Sequence, residues 1–116
     1  MNEDATKIAT FYSLGPGYSR VLSLLISQTP FELGNPSQAL EIQLFRTDRL
    51  SKFAISFSGV TDFDVRNLHP GVNCLLQIKS VADAQMEGIR YRVFNGEQDL
   101  TLSFYCWDFS FEELQL

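Results

Sequence analysis

The sequence predicts a mainly β fold: an antiparallel β-sandwich or partly open barrel of about seven or eight strands with a short N-terminal helix. Apolar and polar residues alternate with the two-residue period of strands over several short runs. The chain also contains ten Phe and four Tyr, and aromatic residues suit a half-buried sheet surface. An α+β fold is the second alternative. No repeat or long linker divides the chain, so we expect one domain over residues 1–116.

The first predicted element is a short amphipathic helix over residues 4–14. Ile8, Phe11 and Tyr12 recur there at helical spacing, although the β-branched and aromatic content leaves a strand as a rival. After a Gly-Pro break, residues 18–28 form a nearly continuous apolar run. A run of this length predicts a central strand that is buried on both faces.

Two alternating strands follow, and the second continues past a glycine. One strand turns Leu40, Ile42 and Leu44 inward, and the next turns inward Phe53, Ile55 and Phe57. Gly59 interrupts this second pattern, which predicts a bulge or bend at that position.

The two cysteines lie in predicted strands among apolar neighbours. Cys74 begins an inward row with Leu76 and Ile78, and Cys106 ends another row. Buried free thiols are the leading expectation, and a disulfide stays open if the two strands prove adjacent.

The clearest hairpin signal lies near the end of the chain. Residues 89–94 alternate, and Asn95-Gly96 supplies the two positive φ angles that a type I′ turn requires. A two-residue loop places Tyr91 opposite Leu100 and brings a carboxylate opposite Arg92.

Charge and composition narrow the class of partner. The formal net charge is −5 and the pI is about 4.7, so the average field repels nucleic acid and anionic membranes and favours a protein partner. The longest apolar run is far shorter than a membrane span, and the acidic start MNEDATK lacks the character of a secretory signal. We expect a cytoplasmic protein.

No catalytic or metal-binding motif is recognisable, so we expect no cofactor and no enzymatic activity. The single histidine, His69, precedes Pro70-Gly71 in a predicted turn, and the two cysteines lack the close pairing of a zinc site. The alternative function is a small-ligand-binding or hydrolytic β domain with a polar pocket. Its candidate ligand-binding residues are the acidic and basic pairs Asp62, Asp64, Arg90 and Arg92.

The last strand has two apolar faces. Leu102, Phe104 and Cys106 continue the inward row, while the opposite face becomes aromatic at every second residue. Either the N-terminal helix or a second sheet covers this face, or a bulge near Trp107 swaps the faces, or the face is a protein interface. The candidate interface residues are Tyr105, Trp107, Phe109, Phe111, Asp108 and Glu112. A homodimer would also cover them.

Three stretches in the second half of the chain carry a resemblance to known proteins. FSGVTDFDV, EGIRYRVFNGE and LSFYCWDF resemble a pattern in small bacterial β-rich proteins, some of them similar to immunity proteins of toxin systems. This resemblance implies a bacterial, cytoplasmic, non-enzymatic domain that binds another protein as an immunity or regulatory partner. The acidic charge agrees with such a role against a basic toxin.

Overall fold

The chain forms seven antiparallel strands and one short N-terminal helix in a computed structural model that describes residues 3–14, 17–28, 38–46, 48, 50–81, 89–95 and 101–115. The mainly β class with a short N-terminal helix is therefore confirmed, and the sheet is not closed into a barrel. The elements are, in chain order, α1 (Glu3–Leu14), β1 (Arg20–Gln28), β2 (Gln38–Phe45), β3 (Ser51–Arg66), β4 (Leu76–Ser80), β5 (Tyr91–Asn95), β6 (Thr101–Cys106) and β7 (Asp108–Gln115).

The long strand β3 organises the sheet. The strand order in the sheet is β1-β2-β3-β6-β5-β4, and β7 also pairs with β3. The first part of β3 pairs with β7 and its last part pairs with β6, while β2 pairs alongside its first ten residues or so. Among the described residues, the start of β1 also contacts the segment that leads into β4, at the other end of the sheet. There the Val21 amide donates to the Val72 carbonyl oxygen at 3.0 Å, and the Cys74 amide donates to the Ser19 carbonyl oxygen at 2.6 Å.

Strand β1 lies at the edge of the sheet, so the prediction of a central strand buried on both faces is wrong. Among the described strands it pairs along its length with β2 alone. The side chains of Leu25 and Ile26 are 59% and 50% exposed, although they point to opposite faces of the strand. A continuous apolar run fits both a central strand and an uncovered edge, and nothing in the run itself separates the two.

The alternation of inward and outward side chains is interrupted at the same point in β3 and in the facing pair of strands, β6 and β7. Strand β3 places Phe57 and Val60 in the core with two residues between them, where regular alternation would leave one. The facing strand repeats this with Cys106 and Phe109. Because both partners shift together, the pair of strands bends there while keeping its pairing, as strands do where a sheet turns a corner.

Gly59 lies at this bend, as its position in the strand pattern predicts. Its φ is +63°, a conformation that is strained for residues with a β-carbon. A β-carbon built on Gly59 would lie 2.9 Å from Trp107 Cβ, closer than two such carbons approach in proteins. Glycine is therefore required by both the backbone angle and the close approach of the opposite strand.

Helix α1 packs against the aromatic part of the core, and its presence confirms the predicted helix over residues 4–14 and excludes the strand alternative. The Phe11 ring lies 5.8 Å from the Phe53 ring, 6.2 Å from Phe109 and 5.7 Å from Phe111. The Tyr12 hydroxyl donates to the Ile78 carbonyl oxygen at 3.1 Å and accepts from the Ile78 amide at 2.9 Å. The helix therefore covers core side chains of β3 and β7 and is tied to β4.

The pairing of β5 with β6 differs from the predicted hairpin. Tyr91 lies opposite Cys106, whereas a two-residue turn would place it opposite residue 100, so the register is displaced by six residues. The Asn95 side chain accepts a hydrogen bond from the Leu102 amide at 2.7 Å, which links the end of β5 to the start of β6. Because six is even, the inward and outward sets of residues are unchanged. Gly96 and the predicted partners of Tyr91 and Arg92 lie outside the described residues.

Candidate interaction site

Trp107 lies on the outside of the bend, and the residue is 49% exposed. Its backbone is fixed, because its amide donates to the Ser58 carbonyl oxygen at 3.0 Å and its β-carbon lies against Gly59. The bend thus holds a large aromatic side chain at the surface on a rigid backbone.

Arg90 lies over this indole ring. Its guanidinium carbon is 5.3 Å from the Trp107 ring and 5.6 Å from the Tyr91 ring, within the range of a cation–π interaction. The Arg90 amide donates to the Cys106 carbonyl oxygen at 3.0 Å, which anchors the arginine beside the bend. Trp107 and Arg90 are therefore presented together.

A row of outward side chains crosses the sheet next to this pair. Lys79 on β4 lies opposite Arg92 on β5, Arg92 lies opposite Tyr105 on β6, and Tyr105 lies opposite Thr61 on β3. Directly paired residues share one face of a sheet, so these four side chains lie on the same outer face. The Arg92 guanidinium carbon is also 4.7 Å from the Phe94 ring. We call Lys79, Arg90, Arg92, Phe94, Tyr105 and Trp107 the cation–aromatic surface.

The predicted aromatic row on one face of the last strand is not continuous. The face change at Trp107 turns Phe109 into the core, and Phe111 is half-buried against the Phe11 ring of α1. Both a helical cover and a bend near Trp107 therefore occur, as two of the three alternatives from the sequence expected. Of the four candidate aromatic residues, Tyr105 is half-buried and Trp107 is exposed.

The two acidic interface candidates lie on β7 and are both exposed. Asp108 accepts a hydrogen bond from Lys7 Nζ at 2.7 Å, and this lysine also lies 4.4 Å from the centre of the Phe109 ring. Burial by itself raises the pKa of the Asp108 carboxyl, but the hydrogen bonds from Lys7 and the Phe109 amide outweigh it, so the pKa is lowered. Glu112 lines a shallow groove of about 250 Å³ with Glu41.

The neighbouring Glu113 has a structural partner. It accepts a hydrogen bond from the Tyr18 hydroxyl at 2.7 Å, and the same hydroxyl lies 2.7 Å from Ser51 Oγ. The Tyr18 side chain is buried, and the Arg46 guanidinium carbon lies 5.5 Å from the centre of its ring. This contact ties the start of β1 to β3 and β7, and sequence reasoning did not find it because the three residues are distant along the chain.

The residues of the alternative ligand site are engaged separately. Asp64 pairs with Arg66 at 3.4 Å, and Asp62 is exposed with a φ of 53°. The register between β3 and β6 shifts between Thr61 and Asp64, so this part of β3 is irregular. Arg90 and Arg92 lie over different aromatic rings. A polar pocket that uses these residues remains a prediction.

A cavity of about 370 Å³ lies elsewhere, between α1, the start of β1 and the segment that leads into β4. Its walls are mostly aromatic and aliphatic, and they include Phe11, Tyr12, Tyr18, Leu44, Phe53 and Leu75. The hydroxyl groups of both tyrosines already have hydrogen-bond partners within the protein.

Both cysteines are free and buried, which confirms the leading prediction for them. Burial raises the pKa of the Cys106 thiol to about 12, so this thiol is protonated near neutral pH. His69 is exposed in the loop before β4, where its Nδ1 lies 3.1 Å from the Pro70 carbonyl oxygen. Among the described residues, no group of three or more His, Cys, Asp or Glu side chains is placed to hold a metal ion.

Sequence reasoning missed two members of the cation–aromatic surface, Phe94 on β5 and Lys79 on β4. Alternation around Leu76 and Ile78 places Lys79 outward, but the partner of β4 could not be identified from local pattern alone. Its position opposite Arg92 depends on the register between β4 and β5.

The architecture defines a small open antiparallel β protein with a helix across part of its core and a half-exposed tryptophan at a bend. No helix in the described part of the chain is long and apolar enough to cross a membrane. Comparison with family models gives a match to Immunity protein PIM8 over residues 3–112, nearly the whole chain. The chain therefore belongs to this immunity protein family, and the likeness extends well beyond the second half that carries the resemblance in the sequence. Searches of curated proteins and of solved structures gave no match.

Proposed function

We propose that the protein neutralises a cognate toxin by binding it directly, without catalysing a reaction, and that Trp107 is an anchor of this contact. Immunity proteins typically bind and neutralise a cognate toxin, and family membership covers nearly the whole chain. The observation that carries the choice of surface is the half-exposed indole of Trp107 on a fixed backbone.

Tryptophan and arginine are the residue types over-represented among interface residues that dominate binding energy. Trp107 and Arg90 form such a pair, with 5.3 Å between the guanidinium carbon and the ring. Because the backbone hydrogen bond to Ser58 and the contact with Gly59 hold Trp107, little conformational entropy of the backbone is lost when a partner covers the ring.

The acidic candidates Asp108 and Glu112 would lie beyond the bend from the cation–aromatic surface, on β7. Asp108 is adjacent to Trp107 in the chain and is held by Lys7, so it would form part of the rim of the contact. Phe109 and Phe111 would support this rim from inside, through their packing on Phe11.

The experiment is affinity capture from the source cell with the wild type, Trp107→Ala and Leu25→Ala. Leu25 is also a large exposed apolar residue, but it lies on the edge strand β1, so it is the matched control. Each captured protein is then expressed in a bacterial host alone and together with the wild type or a variant. We expect one captured protein to arrest growth alone, and the wild type and Leu25→Ala to restore growth while Trp107→Ala does not.

Two results would overturn the proposal. If no captured protein is toxic, or if the wild type does not restore growth, direct neutralisation fails. If Trp107→Ala protects as well as Leu25→Ala, neutralisation stands but the assignment of Trp107 as anchor is wrong.

Light scattering of the purified protein tests the homodimer that the sequence left open, since a dimer would double the mass of 13.2 kDa.

We also infer that the protein acts in the cytoplasm. The two free, buried thiols support this location, because thiols persist in reducing compartments. Cell fractionation with an antibody against the protein tests it, and recovery from the periplasm or the medium would contradict it.

A further inference from the structure

The cation–aromatic surface concentrates positive charge on a chain whose formal net charge is −5. Lys79 and Arg92 are direct partners on neighbouring strands, and like charges placed opposite each other on one face of a sheet reduce stability. Within the described part of the chain, neither side chain forms an ion pair. Within the residues that the structure describes, no carboxylate therefore offsets the electrostatic cost of this pair.

Among the described residues, the two acidic side chains nearest to this surface by strand position, Asp64 and Asp108, have other partners. Asp64 shares the outer face, but it lies two strands from Phe94, roughly 10 Å away by strand spacing, and it pairs with Arg66. Asp108 lies beyond the bend and pairs with Lys7, although Arg90 is close enough to help lower its pKa.

The aromatic rings hold the arginines in place for a partner. The Phe94 ring lies beneath Arg92 and the Trp107 ring beneath Arg90, so both guanidinium groups are oriented before binding. A guanidinium group that lies over a ring keeps its N–H donors directed outward around its edge, where they suit the two oxygens of a carboxylate.

From this geometry we propose that the cation–aromatic surface docks an acidic segment of the toxin, with carboxylates paired to Lys79 and Arg92 and an apolar side chain against Trp107 and Tyr105. This inference rests on the proposed function and specifies the chemistry of the partner. It places the positive surface of an acidic protein at the centre of the contact, with Asp108 at its rim. A protein segment is favoured over nucleic acid because membership of an immunity protein family implies a protein partner.

The first test does not need the toxin. Trp107 is the only tryptophan, so its indole N–H gives a single NMR signal at this surface. Oligo-glutamate, oligo-lysine of equal length and single-stranded RNA are titrated separately into the protein at low ionic strength. We expect oligo-glutamate to shift this signal saturably and oligo-lysine to leave it unchanged.

Charge-reversal variants locate the effect. Arg92→Glu and Lys79→Glu should weaken oligo-glutamate binding at least ~10-fold, because each removes a cation and adds a repulsive carboxylate. Lys52→Glu changes the net charge equally, but Lys52 lies on β3 in the other half of the sheet and donates to Gln43, so it should weaken binding less than ~3-fold. A melting temperature no lower than that of the wild type shows that each variant is folded, and Arg92→Glu and Lys79→Glu should raise it slightly because they replace a like-charge pair with an opposite-charge pair.

Several outcomes would overturn the inference. One is that oligo-glutamate causes no shift of the Trp107 signal, and another is that Arg92→Glu and Lys52→Glu weaken its binding equally. A third is saturable RNA binding that Arg92→Glu abolishes, which would make the surface a nucleic-acid site.

The captured toxin separates this inference from the proposed function. If Arg92→Glu and Lys79→Glu neutralise the toxin as well as the wild type, the acidic-segment contact is wrong and neutralisation stands. If oligo-glutamate binds as expected but no toxin is neutralised, the surface does bind an acidic segment and the proposed neutralisation is wrong.

Discussion

Gly59 lies against Trp107 across the bend, so closely that a β-carbon on the glycine would be 2.9 Å from Trp107 Cβ. Gly59→Ala should therefore lower the free energy of unfolding by about 3 kcal/mol, from the strain of φ +63° together with the steric clash. Chemical denaturation measures this loss. The variant should also alter the fluorescence of the single tryptophan, because the ring must shift to relieve the clash.

Gly71 is the control for this substitution. Its φ is +88°, but a β-carbon there would meet nothing within 4 Å. Gly71→Ala should cost only about 1–2 kcal/mol of backbone strain and leave the tryptophan fluorescence unchanged. Equal losses for the two variants would show that the approach of Trp107 to Gly59 has no energetic consequence.

The ion pair between Lys7 and Asp108 should make a small, pH-dependent contribution to stability. The folded-state pKa of Asp108 lies below its ordinary value of 3.8, so the contribution is present above that value and is lost as the pH falls through the folded-state pKa. Lys7→Met should lower the free energy of unfolding by less than about 1 kcal/mol at neutral pH, since both groups are partly exposed.

Thermal unfolding over a range of pH measures this effect. The difference in melting temperature between the wild type and Lys7→Met should shrink as Asp108 becomes protonated. Lys79→Met removes an exposed lysine that has no ion pair in the described part of the chain, so it is the control and should show no such trend. A constant difference for Lys7→Met would assign its effect to packing on Phe109 alone.

The position of β1 at the sheet edge predicts unequal costs for two leucine substitutions. Leu44 on β2 is 2% exposed, and Leu44→Ala should cost about 2–5 kcal/mol. Leu25 is 59% exposed, and Leu25→Ala should change the free energy of unfolding by no more than about 0.5 kcal/mol. Denaturant titration of both variants decides between an edge strand and a central strand, because a central β1 would give similar losses.

Strand positions and inward rows could be predicted because each depends on neighbouring residues. Alternation identified the buried sets around Ile42, Ile55 and Phe104, and the glycine in the β3 pattern identified the bend. Sheet order and register could not be predicted this way, because they depend on pairings between distant residues. The edge position of β1 and the six-residue displacement of β5 against β6 are both of this kind.

The candidate site could also be predicted only in part, because its side-chain directions depend on neighbouring residues and its assembly depends on distant pairings. The sequence identified Trp107 and Tyr105 as outward aromatic residues, and Arg90 and Arg92 as outward cations, but it placed them in two separate hypotheses. The pairing of β4, β5 and β6 brings them onto one surface with Lys79. The burial of Phe109 could not be read from alternation, because the bend breaks the period at that point.

The central claim is that Trp107 anchors a neutralising contact with a toxin. Its most direct test is isothermal titration calorimetry of the captured toxin against the wild type, Trp107→Ala and Leu25→Ala, with melting temperatures measured in parallel. We expect Trp107→Ala to keep its melting temperature within a few degrees of the wild type and to bind at least ~30-fold more weakly, a loss of about 2 kcal/mol. Leu25→Ala should bind like the wild type. Wild-type affinity in a folded Trp107→Ala variant would contradict the account.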